Sequence, residues 1–143
     1  MLSAAFRNAR ILVVDDEPGN VDILRRILSR AGFSRVETTN DPREVADLYV
    51  RQRPDLILLD LHMPHMDGLE VMDRLNEIAE ASYLPILILS ADLTPEARRD
   101  ALSRGAKDFV GKPFMQDELL LRIRTLLETR LLYLQIQSQN QLL

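Results

Sequence analysis

Five short apolar runs divide the chain, at residues 10–14, 36–39, 56–59, 86–89 and 108–110. The run at 36–39 has weaker polar alternation. Ile11-Leu12-Val13-Val14, Leu56-Ile57-Leu58-Leu59 and Ile86-Leu87-Ile88-Leu89 carry no polar residue at all, the pattern of strands buried on both faces. Between them apolar residues recur at helical spacing. Val21, Ile23-Leu24, Ile27-Leu28 and Ala31 mark a first helix, entered at Pro18 and closed by Gly32 in a left-handed cap. Asp41-Pro42 opens a second, with Val45 and Leu48-Tyr49 inward, and Pro54-Asp55 breaks it. Asp67-Gly68 opens a third, with Leu69, Met72, Leu75 and Ile78-Ala79 facing the core. Thr94-Pro95-Glu96 starts a fourth, which Gly105 ends, and a fifth begins near Gln116-Asp117 with no stop signal before Leu143. Strands alternating with helices predict an α/β fold with a parallel sheet covered on both faces.

The polar residues just beyond the runs then share one sheet edge. Asp15 and Asp16 follow the first run, Asp60 the third, Ser90 the fourth, and Lys112 comes two residues after Val110 of the last. Ligands of such folds bind at the carboxyl ends of the strands, where strand order reverses. Three carboxylates so close repel one another unless a hard divalent cation sits among them. The pattern predicts a magnesium site with one carboxylate open to modification.

The 143 residues suit one domain. A net charge of −4 gives no electrostatic case for nucleic-acid binding. With no cysteine there is neither a disulfide framework nor thiolate chemistry, in keeping with a cytoplasmic location. The first residues, Met1 to Arg7, do not read as a signal peptide. No apolar run approaches the roughly 18 residues of a membrane span.

Four segments carry a resemblance: Leu12-Val13-Val14-Asp15-Asp16-Glu17-Pro18, the loop from Asp60 through His62, Met63-Pro64 and His65 to Gly68, Leu89-Ser90-Ala91, and Gly111-Lys112-Pro113-Phe114. In this order, each after its own strand, they resemble the receiver domain of two-component response regulators, the CheY-like family, over about residues 9–130. The resemblance implies a doubly wound, flavodoxin-like sheet of order 2-1-3-4-5. It implies that Asp60 accepts a phosphoryl group from a sensor histidine kinase or a phosphotransfer protein. Magnesium would be held by Asp16 and Asp60 directly, by Asp15 largely through water, and by the backbone carbonyl of His62. Lys112 would pair with Asp60 at rest, aimed inward by a cis bond before Pro113, and Ser90 would donate its hydroxyl to the phosphoryl group. Ser90 and Phe109 would switch the face formed by the fourth helix, the fifth strand and the fifth helix. Phe109 stands where tyrosine is also common, and its ring forms no hydrogen bond. The same resemblance makes this a self-modifying switch rather than a conventional enzyme.

Other readings fit less well. A stand-alone adaptor or phosphorelay intermediate is the nearest alternative. A magnesium phosphatase of the haloacid-dehalogenase kind usually carries an aspartate two residues after the nucleophile, where this chain has His62. A flavodoxin-like cofactor binder needs a phosphate-cradling loop, and Asp15-Asp16-Glu17 would repel phosphate. His62 and His65 share one loop without a supporting ligand pattern, so they read as loop residues rather than a transition-metal site. Asp67-Gly68 reads as a turn and cap only.

Residues 131–143 extend the last helix beyond a receiver of 1–130. Leu127, Leu131 and Leu134 have the spacing of a coiled-coil seam, which weakens at Ser138 and Gln141. This predicts a linker or a homodimerising segment. The stretch from Gln135 to Gln141 resembles linkers that precede output domains, including those of the HD-GYP kind.

Overall fold

A computed structural model describes residues 3–79 and 83–142, with side chains described through residue 140; the expectations for Met1, Leu2 and Leu143 fall outside this range. Five strands form one sheet in the order β2-β1-β3-β4-β5. They are β1 (Arg10–Val14), β2 (Arg35–Thr39), β3 (Leu56–Asp60), β4 (Ile86–Ser90) and β5 (Asp108–Gly111). Every neighbouring pair is parallel. The helices are α1 (Ala4–Arg7), α2 (Pro18–Arg30), α3 (Val45–Gln52), α4 (Gly68–Ala79), α5 (Pro95–Ser103) and α6 (Gln116–Leu142). The fourth and fifth helices of the sequence pattern are α5 and α6, because the short turn α1 has no periodicity to betray it. Ser3 caps that turn, and Phe6 packs against the core.

Local chemistry explains the boundaries. Pro18 and Pro95 occupy first turns, where a missing N–H costs nothing. Thr94 caps α5 through the Ala97 N–H. Gly32 and Gly105 take φ of 106° and 107° beyond α2 and α5, a region that favours glycine. Asp41 caps a 3-10 turn over Pro42–Glu44 rather than α3 itself, which starts at Val45.

Period-two alternation along each strand sends side chains to two cores. Leu12, Val14, Ile57, Leu59, Ile86 and Ile88 face α3, α4 and α5, meeting Val45, Tyr49, Met72, Leu75 and Ala101. Ile11, Val13, Leu56, Leu58, Leu87 and Leu89 face α2 and α6, meeting Val21, Leu24, Leu28, Leu119, Ile123 and Leu127. Each such side chain stabilises the fold by about 1.5–3 kcal/mol relative to exposure. This double burial is why the strands read as unbroken apolar runs.

The helix α6 has 27 residues, a rod of about 40 Å. Its packed part reaches further than the apolar pattern implies. Arg130 Nε lies 3.3 Å from Asp55 Oδ1, and Nη1 donates to the Tyr83 carbonyl. The Tyr83 and Tyr133 rings are 5.8 Å apart. One member of the expected seam is corrected: Leu127 is 0% exposed inside the second core, so it has no surface to offer another chain. Leu131 and Leu134 are half-buried, and Leu132 and Ile136 are exposed.

Candidate functional site

Strand register builds the site. Val14 pairs with Leu59, so Asp15 and Asp60, each one residue later, emerge side by side. Ser90 pairs with Gly111, and the Lys112 N–H donates to the Ser90 carbonyl at 2.8 Å. The strand order reverses at β1 and β3, which places this group at the topological switch point. Asp15, Asp16 and Asp60 each offer a carboxylate oxygen within 4.8 Å of the others.

Their environments differ. Asp15 is 2% exposed and fully engaged: its Oδ1 accepts from the Glu17 N–H at 3.0 Å, and its Oδ2 accepts from Asn20 at 3.3 Å and from Lys112 Nζ at 2.7 Å. Asn40 donates to the Asp15 carbonyl at 3.0 Å and ties the loop after β2 to the site. Asp60 Oδ1 accepts only the Leu61 N–H, at 2.8 Å, and its Oδ2 takes no hydrogen bond from the described residues. Burial raises the Asp60 carboxyl to about 6; Lys112 and the Leu61 N–H oppose the rise, and the charges of Asp15 and Asp16 add to it.

Lys112 therefore bridges two carboxylates. It lies 2.7 Å from Asp15 and 3.7 Å from Asp60, so the closer partner is Asp15, not the expected Asp60. The peptide bond before Pro113 is cis. Ser90 is 0% exposed, and its Oγ accepts from the Asp92 N–H at 3.0 Å, which leaves the hydroxyl proton free to be donated. Phe109 is already buried, 5% exposed, with the Arg98 guanidinium 6.0 Å from its ring centre.

His62 turns its ring away from the acids. Its Nε2 is 2.8 Å from Asp92 Oδ2, and this contact, with the Thr94 N–H and hydroxyl, holds the Asp92 carboxyl down at about 2. Neither His62 nor His65 joins a metal-ligating cluster among the described residues. Gly68 has a role beyond the turn. Its N–H donates to the Leu61 carbonyl at 2.7 Å, and a Cβ there would stand 2.6 Å from the Asp60 carbonyl oxygen. Asn20, Asn40 and this close approach gave no signal in the sequence pattern.

Hard carboxylate oxygens converging beside an ammonium fit a hard divalent cation. The Lys112 ammonium already lies against two of the three acids, which shows that the cluster draws in positive charge.

Residues 11–124 match the family described as the response regulator receiver domain, and the chain belongs to that family. It is thus a signal-transduction receiver and not a conventional enzyme. Among its relatives is the response regulator MprA of Mycolicibacterium vanbaalenii, 47% identical over 118 residues, which cover 82% of this chain and 50% of that protein. MprA of Mycobacterium leprae is 46% identical over 118 residues, with the same shares covered. The chain spans about half the length of the curated relatives it matches. Chemotaxis protein CheY4 of Vibrio cholerae superposes with a TM-score of 0.77 at 30% identity, over 83% of this chain and 98% of that one. The receiver domain of a putative LuxO repressor from Vibrio parahaemolyticus gives 0.83 at 23% identity, over 90% and 97%, a likeness of fold alone. Among the described residues no helix is long and apolar enough to cross a membrane.

Proposed function

We propose that Asp60 accepts a phosphoryl group from the phosphohistidine of a sensor histidine kinase, or of a phosphotransfer protein, in a magnesium-dependent reaction in the cytoplasm. One observation carries the choice of Asp60: at the end of β3 it lies 3.7 Å from Lys112 with its Oδ2 unengaged, whereas Asp15 is held by three donors and Asp16 has no ion pair among the described residues. A P–O bond forms at Asp60 as the donor's P–N bond breaks, and the imidazole leaves with the electron pair. A carboxylate does this without a general base. Asp16 and Asp60 directly, Asp15 largely through water, and the His62 carbonyl would hold magnesium, which would supply positive charge against the incoming phosphoryl oxygens.

The chain's own residues do the rest. Lys112, 3.7 Å from Asp60, moves its charge from the acids to the phosphoryl group. Ser90 donates its free hydroxyl proton, which draws the loop after β4 inward. Because Phe109 is already buried, the ring repacks against Arg98 and α5 rather than turning in from solvent. The altered face of α5, β5 and α6 leads into the tail, where Leu131 and Leu134 join a second copy, or α6 passes the change to an output domain.

Intact mass after incubation with acetyl phosphate and magnesium should show one added phosphoryl group. Asp60→Asn should show none. The same adduct in Asp60→Asn would place the acceptor elsewhere.

A further inference from the structure

The end of the sheet opposite Asp60 carries a polar cavity of about 460 Å³. Its floor is β1 and β2, and its wall is the end of α3. Arg10, Arg35 and Arg51 line it with Ser34, Gln52 and Glu37. Arg10 pairs with Arg35 in the ladder, so both side chains leave the same face of the sheet. That face is uncovered here because α3 ends at Gln52. Arg10 Nη1 donates to the Gln52 carbonyl at 2.9 Å, which turns its guanidinium toward the wall. Arg35 and Arg51 are exposed and form no ion pair or side-chain hydrogen bond among the described residues. Three arginines and one acid, Glu37, thus line the groove, with the Asp55 carboxylate at its margin accepting the Arg10 N–H at 3.0 Å. This stands out in a chain of net charge −4.

We propose that this groove binds a small ligand bearing two linked phosphate groups. Guanidinium forks match phosphate oxygens in pairs, and three of them exceed what a single phosphate or carboxylate needs. The volume falls within the range of small-molecule sites. The ligand's charge would offset the repulsion among the three arginines.

The test uses metal-free protein at about 150 mM salt, where diffuse attraction is largely screened. Inorganic pyrophosphate and ADP are titrated by calorimetry and by amide NMR. Saturable binding with shifts at residues 34–37 and 51–52 supports the site. Arg51→Gln and Arg35→Gln/Arg51→Gln should each weaken it by about tenfold or more while leaving acetyl-phosphate labelling of Asp60 unchanged. Tighter binding of ADP than of pyrophosphate identifies a nucleotide as the source, and equal binding identifies the diphosphate itself. Equal affinity in wild type and variants, no saturation, or shifts confined to the Asp60 edge would overturn the proposal. So would tighter binding of an Asp- and Glu-rich peptide than of either phosphate probe.

Discussion

Replacing Asp60 by Asn tests the electrostatics of the acidic site through folding stability. In the metal-free protein the Asp60 carboxyl sits at about 6, against 3.8 for the free group. Between those values the folded chain holds more proton than the unfolded chain. Wild-type stability therefore falls as pH rises through that window, and the loss is complete above about pH 7. The whole interval corresponds to about 3 kcal/mol. The side chain keeps 13% exposure, and water screens part of the effect, so roughly 1–3 kcal/mol is expected. Asn is nearly the same shape and carries no charge. Its advantage should be absent below about pH 4 and fully developed above about pH 7. Urea unfolding in EDTA at several pH values measures it directly. Magnesium should then reverse the order, because binding to the folded wild type stabilises it while the Asn variant binds poorly. An advantage that does not change with pH, or that shrinks as pH rises, would refute the claim that burial beside Asp15 and Asp16 governs Asp60.

Two glycines should respond differently to alanine. Gly68→Ala drives a Cβ against the backbone of Asp60 and Leu61 and should cost about 1–3 kcal/mol. Gly111→Ala meets only the end of the Leu93 side chain, 65% exposed, and should stay within about 0.5 kcal/mol in thermal or urea unfolding. Arg130→Ala removes the contacts to Asp55 and the Tyr83 carbonyl and should cost about 1–3 kcal/mol, with hydrogen exchange rising first in α6 beyond residue 130. Asp16→Ala should nearly abolish magnesium binding in an NMR titration; undiminished binding would place the metal elsewhere. Leu131→Asp should weaken self-association in sedimentation, measured with and without beryllofluoride, and leave labelling of Asp60 intact. A chain monomeric in both states would remove the dimerising role of the tail.

Much of the site could be read from the sequence because a parallel sheet turns linear position into spatial position. The apolar runs end at Val14, Leu59 and Leu89, and the next residues must emerge at one edge. Asp15, Asp16, Asp60, Ser90 and Lys112 needed nothing more to be brought together. The helix caps at Thr94, Gly32 and Gly105 were legible for a related reason, since capping is settled within a few residues. The short turn at α1 was not legible. It is held by the Ser3 cap and by Phe6 reaching the second core, and the latter is a long-range event.

What the tertiary structure alone decided is which groups spend their bonds on one another. Lys112 lies 97 positions from Asp15, and no spacing rule says that it should sit nearer Asp15 than Asp60. Asn20 and Asn40 reach Asp15 only because α2 and the loop after β2 close over it. Leu127 fits a coiled-coil seam and a receiver core equally well by period, and its complete burial in the second core assigns it to the latter. The sequence by itself determined the order of elements and the sheet edge that bears the acids, because these follow from local propensity and alternation. The pairing within the site, the backbone approach at Gly68 and the anchoring of α6 through Asp55 depend on packing between distant segments, and only the folded chain settles them.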